Sequence, residues 1–145
     1  MFCRDILLIV RKPLYFQASI NLKTMHLIPK ILIALVAFLH IYFLWLEMFA
    51  WTTKGPKVFR SFPKELFEPT KVLAANQGLY NGFLAAGLIW SLLISTSPWN
   101  AYVAIFFLSC VLIAGIVGAM TASKKIFFVQ GMPALIALIL LHILT

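Results

Sequence analysis

The feature that most constrains this chain is a long run without a charged side chain. No Asp, Glu, Lys or Arg occurs in residues 72–123, a stretch of 52 residues. Across the whole chain 63% of the residues are hydrophobic and 11% are charged, whereas soluble domains carry about 25% charged residues. This composition argues against a soluble globular domain and predicts that the chain resides in a membrane.

Four apolar segments are each long enough to cross a bilayer as a helix, which takes about 20 residues. The uncharged run is divided by the polar, turn-forming cluster 95–100, whose Pro98 cannot continue a helix. One apolar segment precedes this run and another follows it. The predicted spans are approximately residues 31–53, 72–94, 101–123 and 126–145. The predicted fold class is therefore all-α, an integral membrane four-helix bundle that covers residues 25–145.

The basic residues of the loops predict the orientation of the chain, because Lys and Arg in short loops favour the cytoplasmic side. Five of them lie in the loop 54–71 and two at 124–125, whereas the hairpin at 95–100 has none. Both basic loops are predicted to face the cytoplasm from the cell (inner) membrane. This topology and anionic lipid account for the net charge of +8, so the predicted partner is the lipid bilayer and not a nucleic acid.

Residues 1–24 stand apart from the spans. Their apolar stretch, residues 6–10, is shorter than the core of a secretory signal peptide, which has about 7–15 residues. Met25 stands directly before the first span. We interpret residues 1–24 as a basic extension upstream of a later start codon, with a short membrane-surface segment as the alternative.

Small residues recur every fourth position in the second span, at Ala74, Gly78, Gly82 and Ala86. Such stripes let membrane helices approach closely. We expect this one to pack helices of one subunit. Homo-oligomerisation through Gly78 and Gly82 is the alternative.

No cofactor or metal site is predicted. The cysteines Cys3 and Cys110 have no ligand spacing typical of zinc or iron-sulfur sites. The histidines His26, His40 and His142 are predicted to lie at different depths, whereas the two axial ligands of a haem lie at nearly one depth.

The first span carries polar side chains that a bilayer tolerates only when they face a partner or water. His40, Glu47 and Trp51 are spaced by seven and four residues, which predicts one common helical face. Glu47 is the only charge in this span. A carboxyl beside a histidine is typical of proton relays and acid/base sites, so Glu47 and His40 are the candidate catalytic residues.

Polar residues of the other spans fall at matching depths when each residue adds about 1.5 Å from the cytoplasmic end. They predict a two-tier pocket that opens toward the cytoplasm. The upper tier holds Glu47, Asn76, Gln77 and Gln130. The lower tier holds His40, Tyr80 and Asn81. The predicted ligand-binding residues are Glu47, Trp51, Asn76, Gln77, Tyr80, Asn81 and Gln130.

Two interpretations of these polar groups stay open. They can serve as hydrogen-bonding contacts between helices, worth about 0.6 kcal/mol each. Glu47 argues against this, since glutamine would serve a structural role equally well. The loop between the first two spans interleaves basic residues with Phe59, Phe62, Leu66 and Phe67, which predicts an interfacial segment over the pocket, with a solvated connector as the alternative.

Three strings carry a resemblance to a known family. They are LEMFAWT at 46–52, LAANQGLYNGFLAAG at 73–87 and FVQGMPA at 128–134. The chain resembles, from Met25 to its C-terminus, the small four-span bacterial membrane family named domain of unknown function number thirteen hundred and four. The resemblance implies a four-helix membrane protein without an assigned activity. The recurring polar residues of that family correspond here to Glu47, Asn76, Gln77, Asn81 and Gln130.

Three functions are compatible with the sequence. The first is binding of a small polar or amphipathic ligand in the pocket. The second is a membrane enzyme, an isomerase or a quinol-linked enzyme, with Glu47 and His40 as its acid/base pair. The third is a non-catalytic assembly factor that acts through its small-residue faces.

Overall fold

The fold is seen in a computed structural model that describes residues 25–144. Residues 1–24, predicted to be an upstream extension, lie outside this range. Within it the chain forms helices and no strand. The helices are α1 (Leu27–Phe49), α2 (Gly55–Val58), α3 (Lys71–Leu93), α4 (Trp99–Thr121), α5 (Lys124–Ile126) and α6 (Met132–Leu144). A 3-10 turn (Lys64–Leu66) lies in the first loop, and a π-helical segment (Phe127–Gly131) joins α5 to α6.

The ends of the helices follow from particular residues. After α1, the carbonyl of Ala50 accepts hydrogen bonds from the backbone N–H groups of Lys54 and Gly55, at 2.8 and 3.0 Å, and reverses the chain. Pro98 directly precedes α4. Ser123 caps α5, because its side-chain oxygen accepts from the backbone N–H of Lys125 at 3.4 Å. The turn at Ala50 ends α1 at Phe49, four residues before the predicted end of the first span.

The long helices pack in a ring. α1 packs against α3, α3 against α4, α4 against the π-helical segment and α6, and α6 against α1. Apolar side chains from all four fill the middle of the ring. The fully buried ones include Ile33, Val36, Leu88, Leu108, Val111 and Leu141. The predicted all-α class is confirmed as a helical bundle.

Large apolar side chains also cover the outside of the bundle. Phe38, Leu93, Phe106 and Met120 are examples, and each is exposed. A soluble surface would not present so much apolar area. Within the described residues, three helices are long and apolar enough to cross a membrane: Leu27–Phe49, Trp99–Thr121 and Lys124–Leu144. The chain is therefore a membrane protein by the length and composition of its helices.

The small residues of α3 are in contact with α1 of the same chain. A Cβ atom added at Gly78 would lie 2.8 Å from Met48 Cγ and 3.1 Å from the carbonyl oxygen of Leu44. A Cβ atom at Gly82 would also meet Leu44. This face of α3 is thus occupied within the chain, and homo-oligomerisation through Gly78 and Gly82 stays a prediction.

Candidate functional site

A cleft of about 300 Å³ lies at the end of the bundle where the loop 50–70 connects α1 to α3. It is an open cleft with one acidic side chain, an amide, a hydroxyl and several apolar or aromatic groups in its wall. The lining residues are Glu47, Trp51, Phe62, Thr70, Leu73, Ala74 and Gln77.

The cleft exists because α3 extends past the end of α1. Glu47 is two residues from the end of α1, and Asn81 is ten residues from the start of α3, yet their side chains meet at 2.7 Å. At about 1.5 Å per residue, α3 begins roughly 12 Å beyond the end of α1. The first two turns of α3 are therefore faced by the loop, and the cleft lies between them.

The carboxyl of Glu47 accepts a hydrogen bond from the side-chain amide of Asn81. The Nδ2 group of Asn81 donates a hydrogen bond to Glu47 Oε2 at 2.7 Å and a longer one to the carbonyl oxygen of Gln77 at 3.2 Å. Asn81 is 7% exposed and Glu47 is half-buried. Among residues 25–144 no hydrogen bond reaches Glu47 Oε1, and no Lys or Arg forms an ion pair with this carboxyl. Oε1 is thus an acceptor that none of the described residues uses.

The loop wall of the cleft is built around Trp51. Its indole ring packs against the rings of Phe59, Phe62 and Phe67, with centroids 5.4, 5.8 and 4.9 Å away. Its Nε1 group donates to Thr70 Oγ1 at 3.1 Å, and that hydroxyl donates to the carbonyl oxygen of Leu66 at 2.6 Å. These contacts fix the indole plane in the wall of the cleft.

His40 lies in the interior of the bundle, away from the cleft. It is 1% exposed, and its Nδ1 group donates to the carbonyl oxygen of Val36 at 2.9 Å. Because a carbonyl only accepts, Nδ1 carries the proton, and Nε2 is a buried acceptor that has no partner in the described part of the chain. Seven residues along one helix separate His40 from Glu47 by about 10 Å, and the two side chains do not touch through a hydrogen bond.

The remaining predicted site residues lie elsewhere. Asn76 and Tyr80 are exposed on the outside of α3, with Tyr80 at 57%. Gln130 is half-buried beside α4, where its Cγ atom is 3.5 Å from the place that a Cβ atom of Gly115 would take. The structure thus brings Glu47, Trp51, Gln77 and Asn81 together. It leaves out Asn76, Tyr80, Gln130 and His40.

Two details of the sequence prediction are wrong. Trp51 does not share a helical face with His40 and Glu47, because α1 ends at Phe49 and Trp51 lies in the following turn. Asn81 does not lie in a lower tier with His40, since it pairs with Glu47. The depth estimate failed because it placed the ends of α1 and α3 at the same level.

Sequence reasoning missed Thr70, Leu73 and Ala74. Their positions, with Gln77, are spaced by three, four and seven residues, which puts them on one face of a helix. That spacing was the available signal. None of the three is a charged or amide residue, so a search for polar groups in apolar spans does not find them.

The described part of the chain holds no group of three or more His, Cys, Asp or Glu side chains that could hold a metal ion. Cys110 is a free, half-buried thiol in α4.

Comparison with known proteins identifies the family. Residues 34–142 match the family described as Protein of unknown function (DUF1304). The chain belongs to this family. It is similar to the uncharacterized protein YpaA of Lactococcus lactis subsp. lactis, with 33% identity over 117 residues that cover 79% of this chain and 97% of YpaA. No solved structure matches the chain. The resemblance carried by the three strings is confirmed.

Proposed function

We propose that this member of the family is a multi-pass protein of the cell (inner) membrane that binds a small polar or amphipathic ligand in the cleft between α3 and the loop 50–70. The observation that carries this proposal is the Glu47 carboxyl, which lines an aromatic cleft. One of its oxygens accepts a hydrogen bond from Asn81, and the other has no partner among residues 25–144. Concave sites with apolar walls and a few placed polar groups are typical of ligand binding.

The proposal includes α3 as a fourth span. α3 has 23 residues, as do α1 and α4, and a helix of that length covers about 35 Å, more than the hydrocarbon core. It is less apolar than the other long helices because it contains Asn76, Gln77 and Asn81. Asn81 is satisfied by α1, and Phe83, Trp90 and Leu93 give α3 an exposed apolar surface.

The proposed orientation puts the basic loops in the cytoplasm, and cysteine labelling tests it. Ser61 and Ser95 are both exposed and flank α3. In a chain with Cys3 and Cys110 replaced by serine, a membrane-impermeant maleimide added to intact cells should label Ser95→Cys. It should label Ser61→Cys only after permeabilisation. Labelling of both positions from one side would show that α3 does not cross the membrane, and the reverse pattern would invert the topology.

The ligand itself can be sought by mass spectrometry of small molecules that co-purify in mild detergent. Leu73 lines the cleft and is exposed, so Leu73→Trp should narrow the cleft without disturbing the core. Its neighbour Val72 is equally exposed and does not line the cleft, which makes Val72→Trp the matched control. We expect a co-purifying molecule with the unsubstituted chain and with Val72→Trp, and about a ten-fold lower yield with Leu73→Trp, equivalent to about 1.4 kcal/mol of binding free energy. Equal yields from both variants would contradict binding in this cleft.

Ligand binding is favoured over the two other functions by specific contacts. Acid/base chemistry by Glu47 and His40 needs both groups near one substrate, but His40 is buried away from the cleft. An assembly role through the small-residue face needs a free face, but Gly78 and Gly82 already contact α1.

A further inference from the structure

We propose that the cleft takes an amphipathic organic cation, with a protonated amine at Glu47 and an apolar body against Trp51, Phe62 and Leu73. This inference rests on the proposed function, because it names the class of ligand that the same cleft binds. It follows from the charge, the hydrogen-bonding capacity and the shape of the lining.

The charge of the lining is unbalanced. Glu47 lines the cleft, and among the described residues neither another acid nor any Lys or Arg does so. A carboxylate that is partly removed from water is costly unless an opposite charge or further hydrogen bonds compensate it. Asn81 supplies one hydrogen bond and no charge. An ammonium group in the cleft would supply an opposite charge and further hydrogen bonds.

The hydrogen-bonding capacity of the cleft also favours a cationic ligand. Oε1 of Glu47 can accept and has no partner among residues 25–144. An alkylammonium group has three donors and no acceptor, so it can satisfy Oε1 and still donate to the amide oxygen of Gln77 in the same wall. A carboxylate or phosphate ligand would instead bring a second negative charge beside Glu47.

The aromatic wall suits a cation with an apolar body. The indole of Trp51 is held in place by Thr70 and by the neighbouring phenylalanines. Aromatic faces attract ammonium groups through their quadrupole, and indole does so most strongly. Leu73 is exposed at the edge of the cleft, which gives an alkyl chain a path from the cleft toward the apolar outer surface of α3.

The volume limits the size of the head group. At about 300 Å³ the cleft lies at the small end of ligand sites, which extend from about 300 to 1,000 Å³. It accommodates one compact polar head, so the rest of the molecule has to extend through the opening. This fits a molecule with a single amine and an alkyl or aromatic tail.

An anion is the rival ligand, because the loop is basic. Lys54, Lys57, Lys64 and Lys71 are exposed on or beside it. None of them lines the cleft. These basic side chains therefore lie outside the cleft, and the charged side chain that lines it is an acid, Glu47.

The experiment measures quenching of tryptophan fluorescence by brominated probes. The full chain is placed in nanodiscs of phosphatidylcholine and titrated with a bromine-carrying alkylammonium, and then with the alcohol and the carboxylate of the same chain length. Bromine quenches on contact, so occupancy of the cleft gives a saturable component from Trp51. Trp45, Trp90 and Trp99 are exposed and contribute only the non-saturable quenching due to probe dissolved in lipid. Trp51→Phe should abolish the saturable component and so locate it.

We expect saturable quenching by the ammonium and none by the alcohol or the carboxylate. Glu47→Gln should raise the apparent Kd for the ammonium probe by about ten-fold or more. The matched control Glu65→Gln removes an exposed acid of the loop 50–70 that does not line the cleft, and it should leave the Kd unchanged. Far-ultraviolet circular dichroism verifies that each variant is folded.

The outcomes separate this inference from the proposed function. Saturable quenching by the alcohol or the carboxylate, with an apparent Kd equal to that of the ammonium, would overturn the inference of a cationic ligand. That result would leave ligand binding in the cleft standing. An unchanged ammonium Kd in Glu47→Gln would also overturn it. If none of the three probes quenches Trp51 saturably, both the cation and the binding of small amphipathic molecules in this cleft are rejected. The comparison of the three probes uses the unsubstituted chain, so it does not depend on a variant that folds.

Discussion

Replacing Gly115 by valine is expected to lower the free energy of unfolding by about 3 kcal/mol, the upper part of the usual range for overpacking. Gly115 lies where α4 contacts the π-helical segment. A Cβ atom there would be 2.8 Å from the Cα atom and 2.9 Å from the nitrogen of Gly131. Both are backbone atoms, which cannot rotate away as a side chain can. The two helices would have to separate, and the loss should appear in unfolding by denaturant in detergent, followed by circular dichroism.

The matched control is Ala114→Val. Ala114 is the preceding residue of α4 and is exposed on the outside of the bundle. A larger apolar side chain there meets lipid or detergent, so the free energy of unfolding should change by less than about 0.5 kcal/mol. If Gly115→Val is as stable as Ala114→Val, the close contact between α4 and the π-helical segment is contradicted.

Replacing Asn81 by alanine is expected to lower the free energy of unfolding by about 2 kcal/mol, the usual scale for a hydrogen bond to a charged group. Asn81 is buried and donates the 2.7 Å hydrogen bond to Glu47. Without it, no other donor among the described residues reaches this carboxyl. Asn76→Ala is the matched control, because it removes an exposed amide from the same helix, and it should change stability by less than about 0.5 kcal/mol.

A double-mutant cycle separates the pair from the loss of either side chain alone. In a Glu47→Leu background the acceptor is absent, so Asn81→Ala should cost at least about 1 kcal/mol less than in the unsubstituted chain. Additive effects of the two substitutions would mean that Asn81 stabilises the bundle by packing and not through Glu47.

The position of the amides shows how far sequence reasoning reaches. The second span contains two pairs of polar residues four positions apart, Asn76 with Tyr80 and Gln77 with Asn81. At 100° per residue, Asn76 and Tyr80 lie nearly opposite Gly78, whereas Asn81 lies close to it. The glycine stripe therefore carried the information that Asn81 faces a neighbouring helix and Asn76 does not. The prediction treated all four as lining one pocket because it considered depth and not angle.

The confirmed predictions depend on properties that add up along the chain. Membrane residence and the all-helical fold follow from uncharged apolar segments of sufficient length, and the helices end near the turn-forming residues of the sequence. These are local properties, because hydrophobicity, charge and backbone preference act over a few residues or one helical turn. The expectation that Glu47 meets a polar partner is of the same kind, because a carboxyl in an apolar segment needs a partner wherever that segment lies.

The cleft was decided by tertiary structure alone. It depends on α3 extending roughly 12 Å past the end of α1, which no composition or spacing within one helix determines. The contacts that accompany this offset join residues far apart in sequence: Gly78 packs against Met48, and Trp51 donates a hydrogen bond to Thr70. The sequence showed that this chain belongs in a membrane and that Glu47 needs a partner. The packing of α1 on α3 made Asn81 that partner and placed Glu47 in the wall of the cleft.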